Sequence, residues 1–174
     1  DARARENVLT GNAHQLASIG SFSQALEITT WVTNVCLRAT LVASVARAYL
    51  DVGRYDEAVR VAETIVDRLT RTHTLAVIVR QALSEERDEL ARQYALILPV
   101  SVERDRTLAA LASWYVAHNR LDDALTIEAM IRPGALKSKL IREVALSYLA
   151  TDQEERALQL LERLSDPFAR TALR

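Results

Sequence analysis

Small, apolar and polar positions recur along the chain with one fixed spacing. The segments ASIGSFSQALEI, LDVGRYDEAVRV, LSEERDELARQY, VAHNRLDDALTI and LATDQEERALQL align on Ala25, Ala58, Ala91, Ala124 and Ala157, each 33 residues after the last. Seven positions after each alanine comes a ladder of Val32, Ile65, Leu98, Ile131 and Leu164. Upstream stand Ala13, Ala46, Val79, Ala112 and Ala145, followed three places later by Leu16, Tyr49, Ala82, Tyr115 and Tyr148. Within a unit these positions fall at offsets of three, four and seven on both sides of a polar turn, which is the period of an α-helix. Each unit therefore reads as two helices, A and B. In the second unit helix A is expected from about Ala39 to Asp51 and helix B from about Tyr55 to Leu69, joined at Gly53.

The turn position reads Gly20, Gly53, Glu86, Asn119 and Asp152, and four of these five residue types suit a left-handed backbone or a helix cap. Asp152 with Glu155, and Asn119 with Asp122, read as N-terminal capping pairs of helix B. Pro99, Pro133 and Pro167 fall near the end of helix B or the start of the next unit, where proline stops a helix. The aligned alanine has a packing reason: a small side chain lets helix B approach helix A closely.

These residues resemble the tetratricopeptide repeat. Its small residue in helix A, aromatic three places on, and Gly-x-Tyr-x-x-Ala across the turn are matched by Ala46, Tyr49, Gly53, Tyr55 and Ala58. The fourth unit keeps Ala112, Tyr115 and Ala124, and the fifth keeps Ala145, Tyr148 and Ala157. The third unit keeps only the alanine and the spacing, the period is one residue short of the usual 34, and the small residue expected late in helix B is read as replaced by the apolar ladder. The resemblance implies an all-α, right-handed superhelical solenoid of about five helix-turn-helix repeats. We expect one helical-repeat domain over residues 1–174, with units near 1–33, 34–66, 67–99, 100–132 and 133–165 and the start of a sixth at 166–174. Neither end shows an obviously polar capping helix, so the chain reads as a piece of something longer or as one that pairs through its ends.

Composition narrows the classes. Hydrophobic residues make up 49% and charged residues 26% of the 174, with only 4 glycines and 3 prolines, which fits a folded, helical chain. A net charge of −1 gives no global attraction to nucleic acid or to an anionic membrane. Every apolar run is interrupted before the length that spans a bilayer. The one cysteine, Cys36, excludes an intrachain disulfide and is expected as a small buried residue.

Candidate chemistry is sparse. His14, His73 and His118 are scattered and expected to be exposed or capping; no metal or cofactor site is read from them. The pairs Asp122–Asp123 and Glu154–Glu155 fall in the first turn of helix B, where the helix dipole favours negative charge. Ser44 and Ser113 have no base at a suggestive spacing, so an enzyme is not expected. Trp31 is expected to be buried against the next unit, whereas Trp114, rotated about 100° from the Tyr115 column, is read either as core or as a binding anchor. A basic column, Arg5, Arg38, Arg71, Arg104, Lys137 and Arg170, also keeps the 33-residue spacing. It reads either as structural pairing, for example Asp1–Arg5, Asp67–Arg71 and Asp166–Arg170, or as ligand contact.

In the resembled family helix A lines the concave groove. The matching positions here are Asn7, His14, Thr40, Arg47, His73, Arg80, Arg106, Lys139 and Arg142, five of them basic and none acidic. The resemblance implies a cytoplasmic, non-enzymatic protein-interaction scaffold without cofactor. Its partner is a protein or peptide, acidic or carboxylate-terminated, bound by Arg47, Arg80, Arg106, Trp114, Lys139 and Arg142 rather than nucleic acid or membrane. The alternative is a structural or sensor segment of a larger regulator that self-associates end to end.

Overall fold

The computed structural model describes residues 2–164. They form ten α-helices: α1 (Ala2–Ser18), α2 (Phe22–Thr30), α3 (Val35–Asp51), α4 (Tyr55–Glu63), α5 (Arg68–Ser84), α6 (Asp88–Ile97), α7 (Val102–Ala117), α8 (Leu121–Ala129), α9 (Ala135–Ala150) and α10 (Glu154–Glu162). Odd-numbered helices are helix A of a pair and even-numbered ones helix B. The chain forms two compact units, Asp1–Pro99 with three pairs and Val100–Arg174 with two. The sixth helix A expected at 166–174, with Arg170 and the Asp1–Arg5 and Asp166–Arg170 pairings, lies outside the described residues.

One motif makes all five A-to-B turns. At Gly53 the backbone turns left-handed, with φ 75°, the Gly53 N–H donates to the Leu50 carbonyl at 2.9 Å, and the Arg54 N–H donates to that of Tyr49 at 3.0 Å. The same two bonds close the turns at Gly20, Glu86, Asn119 and Asp152, whose φ values are 83°, 59°, 57° and 57°. This is the Schellman closure, which satisfies two carbonyls orphaned at the end of helix A. It also corrects the expected capping pairs. Asn119 and Asp152 end helix A, and the residues at the N-cap of helix B, Arg120 and Gln153, make no side-chain cap. The side-chain caps stand at the start of helix A, where Asn34, Asp67 and Ser101 accept from the N–H groups of Leu37, Thr70 and Arg104.

In the second pair helix A begins at Val35, four residues earlier than expected, because Asn34 caps it. Helix B stops at Glu63 rather than Leu69. The Thr64 and Ile65 N–H groups tighten the last turn onto Val61 and Ala62, which swings Ile65 back into the core. Val32, Ile131 and Leu164 make the same turn, Leu98 follows α6 in extended backbone, and all five ladder residues are buried, none more than 3% exposed; each full burial stabilises the fold by about 1.5–3 kcal/mol.

Ala25, Ala58, Ala91, Ala124 and Ala157 are all 0% exposed, at the contact of each helix B with its helix A. In each unit consecutive A helices also pack directly on each other. Each B helix leans on its own A and, where the unit contains one, on the next A, so successive B helices have no comparable contact with each other among the described residues. Three residues before the ladder a second row runs through the end of helix B, with Ala62 and Ala95 both 0% exposed and Thr29, Glu128 and Leu161 in the other copies.

Candidate interaction surfaces

Placing the charges on the helices reveals a segregation that the net charge hides. The five A helices carry twelve Lys or Arg against five Asp or Glu. The five B helices carry three against twelve. The A side of each unit is therefore electropositive and the B side electronegative, although the chain as a whole is almost neutral.

In the first unit the A side holds a cleft of about 290 Å³ between α3 and α5, lined by Ala43, Ser44, Arg47, Leu50, His73, Thr74, Val77 and Ile78. Helical spacing puts Ser44, Arg47 and Asp51 on one face of α3, and His73, Val77 and Arg80 on the facing part of α5. Arg47 pairs with Asp51 at 3.8 Å with both side chains well exposed, so the pair contributes little and can be exchanged for another anion. Arg80 is exposed on the same row of the repeat as Arg47. His14 and His73 are exposed as expected.

In the second unit Arg106 and Trp114 stand on α7 and Lys139 and Arg142 on α9, two A helices that pack on each other. Arg106 lies 3.7 Å from Glu103, and Lys139 lies 3.5 Å from Glu143, which also accepts from the Ser113 hydroxyl at 2.7 Å. Both cations are more than half exposed and Arg142 is half-buried. Trp114 is half-buried, stacked on the exposed His118 ring at 3.7 Å and edge-on to Tyr115 at 5.7 Å. Its indole is held by neighbours on its own helix, so it offers a rigid edge to that face.

The basic column has a structural role wherever its bonds are seen. Arg71 donates to the Ile65 carbonyl at 3.2 Å and Lys137 to the Ile131 carbonyl at 3.1 Å, in each case the end of the preceding helix B. A cation there meets the negative end of that helix's dipole. Though each base starts near the unfavourable N-terminus of its own helix A, its long stem carries the charge to the C-terminus of another. Arg104 reaches the Met130 carbonyl of α8 at 3.5 Å, a longer contact. Asp67 does not take Arg71 as its main partner: it accepts from Thr70, whose hydrogen bonds lower its pKa.

Two expectations of burial fail. Trp31, at the C-cap of α2, is 50% exposed. Cys36 is exposed because it shares the outward face of α3 with Thr40 and Arg47, one and three turns on.

The structure also assigns jobs that the spacing alone did not. Arg54, Arg87 and Arg120 recur at the helix-B N-cap with the 33-residue period and lie on aromatic faces: Arg54 on Tyr49 at 4.9 Å, Arg120 on Tyr115 at 4.5 Å. Where Ala82 interrupts the tyrosine column, Arg87 lies over Tyr55 instead, at 5.1 Å. Burial first, and then the neighbouring Glu85 carboxylate, push the Tyr55 hydroxyl up to about 12. Glu6 and Asp105, at equivalent points of α1 and α7, each hold the loop leading into the next helix A. Glu6 accepts from Thr33 and Asn34, and Asp105 from Arg132 at 2.6 Å. The hydrogen bond from the Thr33 hydroxyl is the main reason the Glu6 pKa is lowered.

Glu128 is 0% exposed and holds both Arg163 at 2.8 Å and Lys137 at 3.3 Å, tying the end of α8 to α9 and to the residue after α10. The sequence signal for it was a charge standing in the row of Ala62 and Ala95. Among the described residues no group of His, Cys, Asp and Glu is arranged to hold a metal ion. No helix there is long and apolar enough to cross a membrane.

The repeated helix pairs, Schellman turns and buried alanine row define a tetratricopeptide-like, all-α helical-repeat protein. No family model matches the chain, and no curated protein matches it. Among solved structures, a MamA (AMB-1) structure is 17% identical over 92% of this chain and 90% of that one, with a TM-score of 0.47. TPR-like repeats of a putative kinesin light chain from Podosopora anserina are 18% identical, cover 94% of both chains and give 0.43. YrrB, a TPR protein with an unusual peptide-binding site, is 17% identical over 95% and 89%, with 0.42.

Proposed function

We propose that this chain is a non-enzymatic protein-interaction scaffold whose A-helix faces bind an acidic or carboxylate-terminated segment of a partner protein. The observation that supports the reading is the excess of cations on the A helices. In the second unit Arg106, Lys139 and Arg142 supply donors for carboxylates, with Trp114, two turns along α7 from Arg106, as an apolar anchor. In the first unit Arg47 and Arg80 play the same part around the cleft between α3 and α5, where Leu50, Val77 and Ile78 offer an apolar wall.

The mechanism is preorganisation. Helices locked by buried alanines and closed turns hold the cations in place, so the scaffold loses little freedom on binding. Their partners are the exposed Asp51 and the partly exposed Glu103 and Glu143, at 3.5–3.8 Å, weak competitors that a ligand carboxylate displaces. Amide chemical-shift mapping with a Glu-rich peptide tests the reading. Shifts are expected on α3, α5, α7 and α9, and shifts confined to the B helices would refute it.

A further inference from the structure

The B side carries a surface of a different character. Between α4 and α6 lies a cleft of about 370 Å³ lined by Asp56, Val59, Arg60, Gln93, Tyr94 and Ile97. It exists because each B helix leans on A helices rather than on the next B helix. A cleft of about 320 Å³ recurs in the other unit beside α8 and α10, where Asp122, Leu125 and Gln159 occupy the repeat positions of Asp56, Val59 and Gln93, but Arg156 and Arg163 also line it, so its lining is more basic than that of the first. The core does not require this, since Asp56, Gln93, Asp122 and Gln159 are all exposed.

The α4–α6 cleft has polar and apolar parts. Tyr94 donates its hydroxyl proton to Asp56 Oδ1 at 2.7 Å, which fixes the carboxylate; Oδ2 accepts from no side chain among the described residues. Val59 and the Tyr94 ring form the floor, and Ile97, 45% exposed, forms the lip toward the end of α6 with Leu96 beside it at 43%. The charged lining of the cleft is Asp56 and Arg60, and the two helices that form it carry five carboxylates against two arginines over their whole length.

We propose that the α4–α6 cleft is a second docking surface, for a basic, partly apolar segment of a partner protein. A Lys or Arg of that segment seats on Asp56, and a neighbouring apolar side chain packs between Val59 and Ile97. Charge complementarity decides the occupant: an acidic segment meets the carboxylates of two helices here, whereas a basic one is drawn in. The chain is thus two-sided, taking an anionic segment on its A helices and a cationic one on its B helices. The B-side inference stands on its own observations, independent of the A-side reading.

The test uses labelled peptides of equal length, one of Lys and Leu, one of Lys and Ser and one of Glu and Leu, titrated at about 0.15 M salt, where nonspecific attraction is screened. Asp56→Asn removes the charge but keeps an acceptor for Tyr94, Ile97→Ser removes the lip, and Gln93→Lys adds a cation without breaking a bond. With helicity unchanged by circular dichroism, each is expected to weaken Lys–Leu binding by about fivefold or more. Unchanged affinity in Asp56→Asn and Gln93→Lys, or Lys–Ser binding as tight as Lys–Leu, overturns the proposal. Failure of the Glu–Leu peptide to bind bears on the A-side reading alone.

Discussion

The guanidinium of Arg163 reaches the carboxylate of Glu128 at 2.8 Å across 35 residues of chain, and that carboxylate is sealed from solvent. A buried charge is tolerated only with partners, and Glu128 has two, Arg163 and Lys137. The partners are not symmetric with it. Arg163 is about half exposed, so water can solvate it, and Lys137 also holds the Ile131 carbonyl, so neither cation is stranded if Glu128 is removed. Replacing both cations, Lys137→Ala with Arg163→Ala, should cost about 3–5 kcal/mol by stranding a buried carboxylate. Glu128→Ala, which restores the residue type of Ala62 and Ala95, should cost clearly less. Urea denaturation of the two variants gives the order, and the reverse order would remove Glu128 from the core.

The turns make a second prediction. Glu86 adopts a left-handed backbone at φ 59° that glycine accepts without strain, as Gly53 does in the same motif at φ 75°. Glu86→Gly is expected to stabilise by roughly 0.5–1 kcal/mol and Gly53→Ala to destabilise by about 1 kcal/mol. Thermal melts of both variants check the pair of signs.

Overpacking tests the alanine row. Ala124 is 0% exposed between α8 and α7, so Ala124→Leu should cost about 1–3 kcal/mol. A melting temperature equal to that of the parent chain would place Ala124 outside the helix–helix contact.

Stability should fall at both ends of the pH scale, for opposite reasons. Glu6, Glu57, Asp67 and Glu85 have lowered pKa values, chiefly through hydrogen bonds from Thr33, Arg54, Thr70 and Gln81 respectively. Their contribution is present above the ordinary values of 4.5 for Glu and 3.8 for Asp, and is lost as pH falls through the lower folded values. Tyr55 is raised from 10.0 to about 12, so its contribution is complete below pH 10.0 and lost as pH rises toward about 12. Melting temperature measured against pH should decline on both flanks, and Tyr55→Phe should flatten the alkaline one.

Much of the fold was legible because the repeat imposes the same physical demand at each copy. The left-handed turn, the small alanine and the ladder must be satisfied in every unit, so they recur at 33 residues even where Glu86 is an unfavourable choice. The basic column was equally legible as a pattern but not in its purpose. Its acceptor is a backbone carbonyl of another helix, which has no residue signature. Trp31 and Cys36 were misplaced because residue type was weighed above helical register, and register puts both outside. The basic A face was legible in the groove positions, but the acidic B face was missed, because cations and anions alternate by helix and cancel in any whole-chain sum.

The central claim is that the cationic A face recognises an acidic segment, and charge reversal on the second unit tests it most directly. A labelled peptide of Glu and Ala with a free carboxyl terminus would be titrated by fluorescence anisotropy against the parent chain and against Arg106→Glu/Lys139→Glu/Arg142→Glu, all at positions short of full burial. The account predicts binding to the parent, loss of at least about tenfold in affinity in the variant, and unchanged helicity. Equal affinity for the two proteins would contradict it.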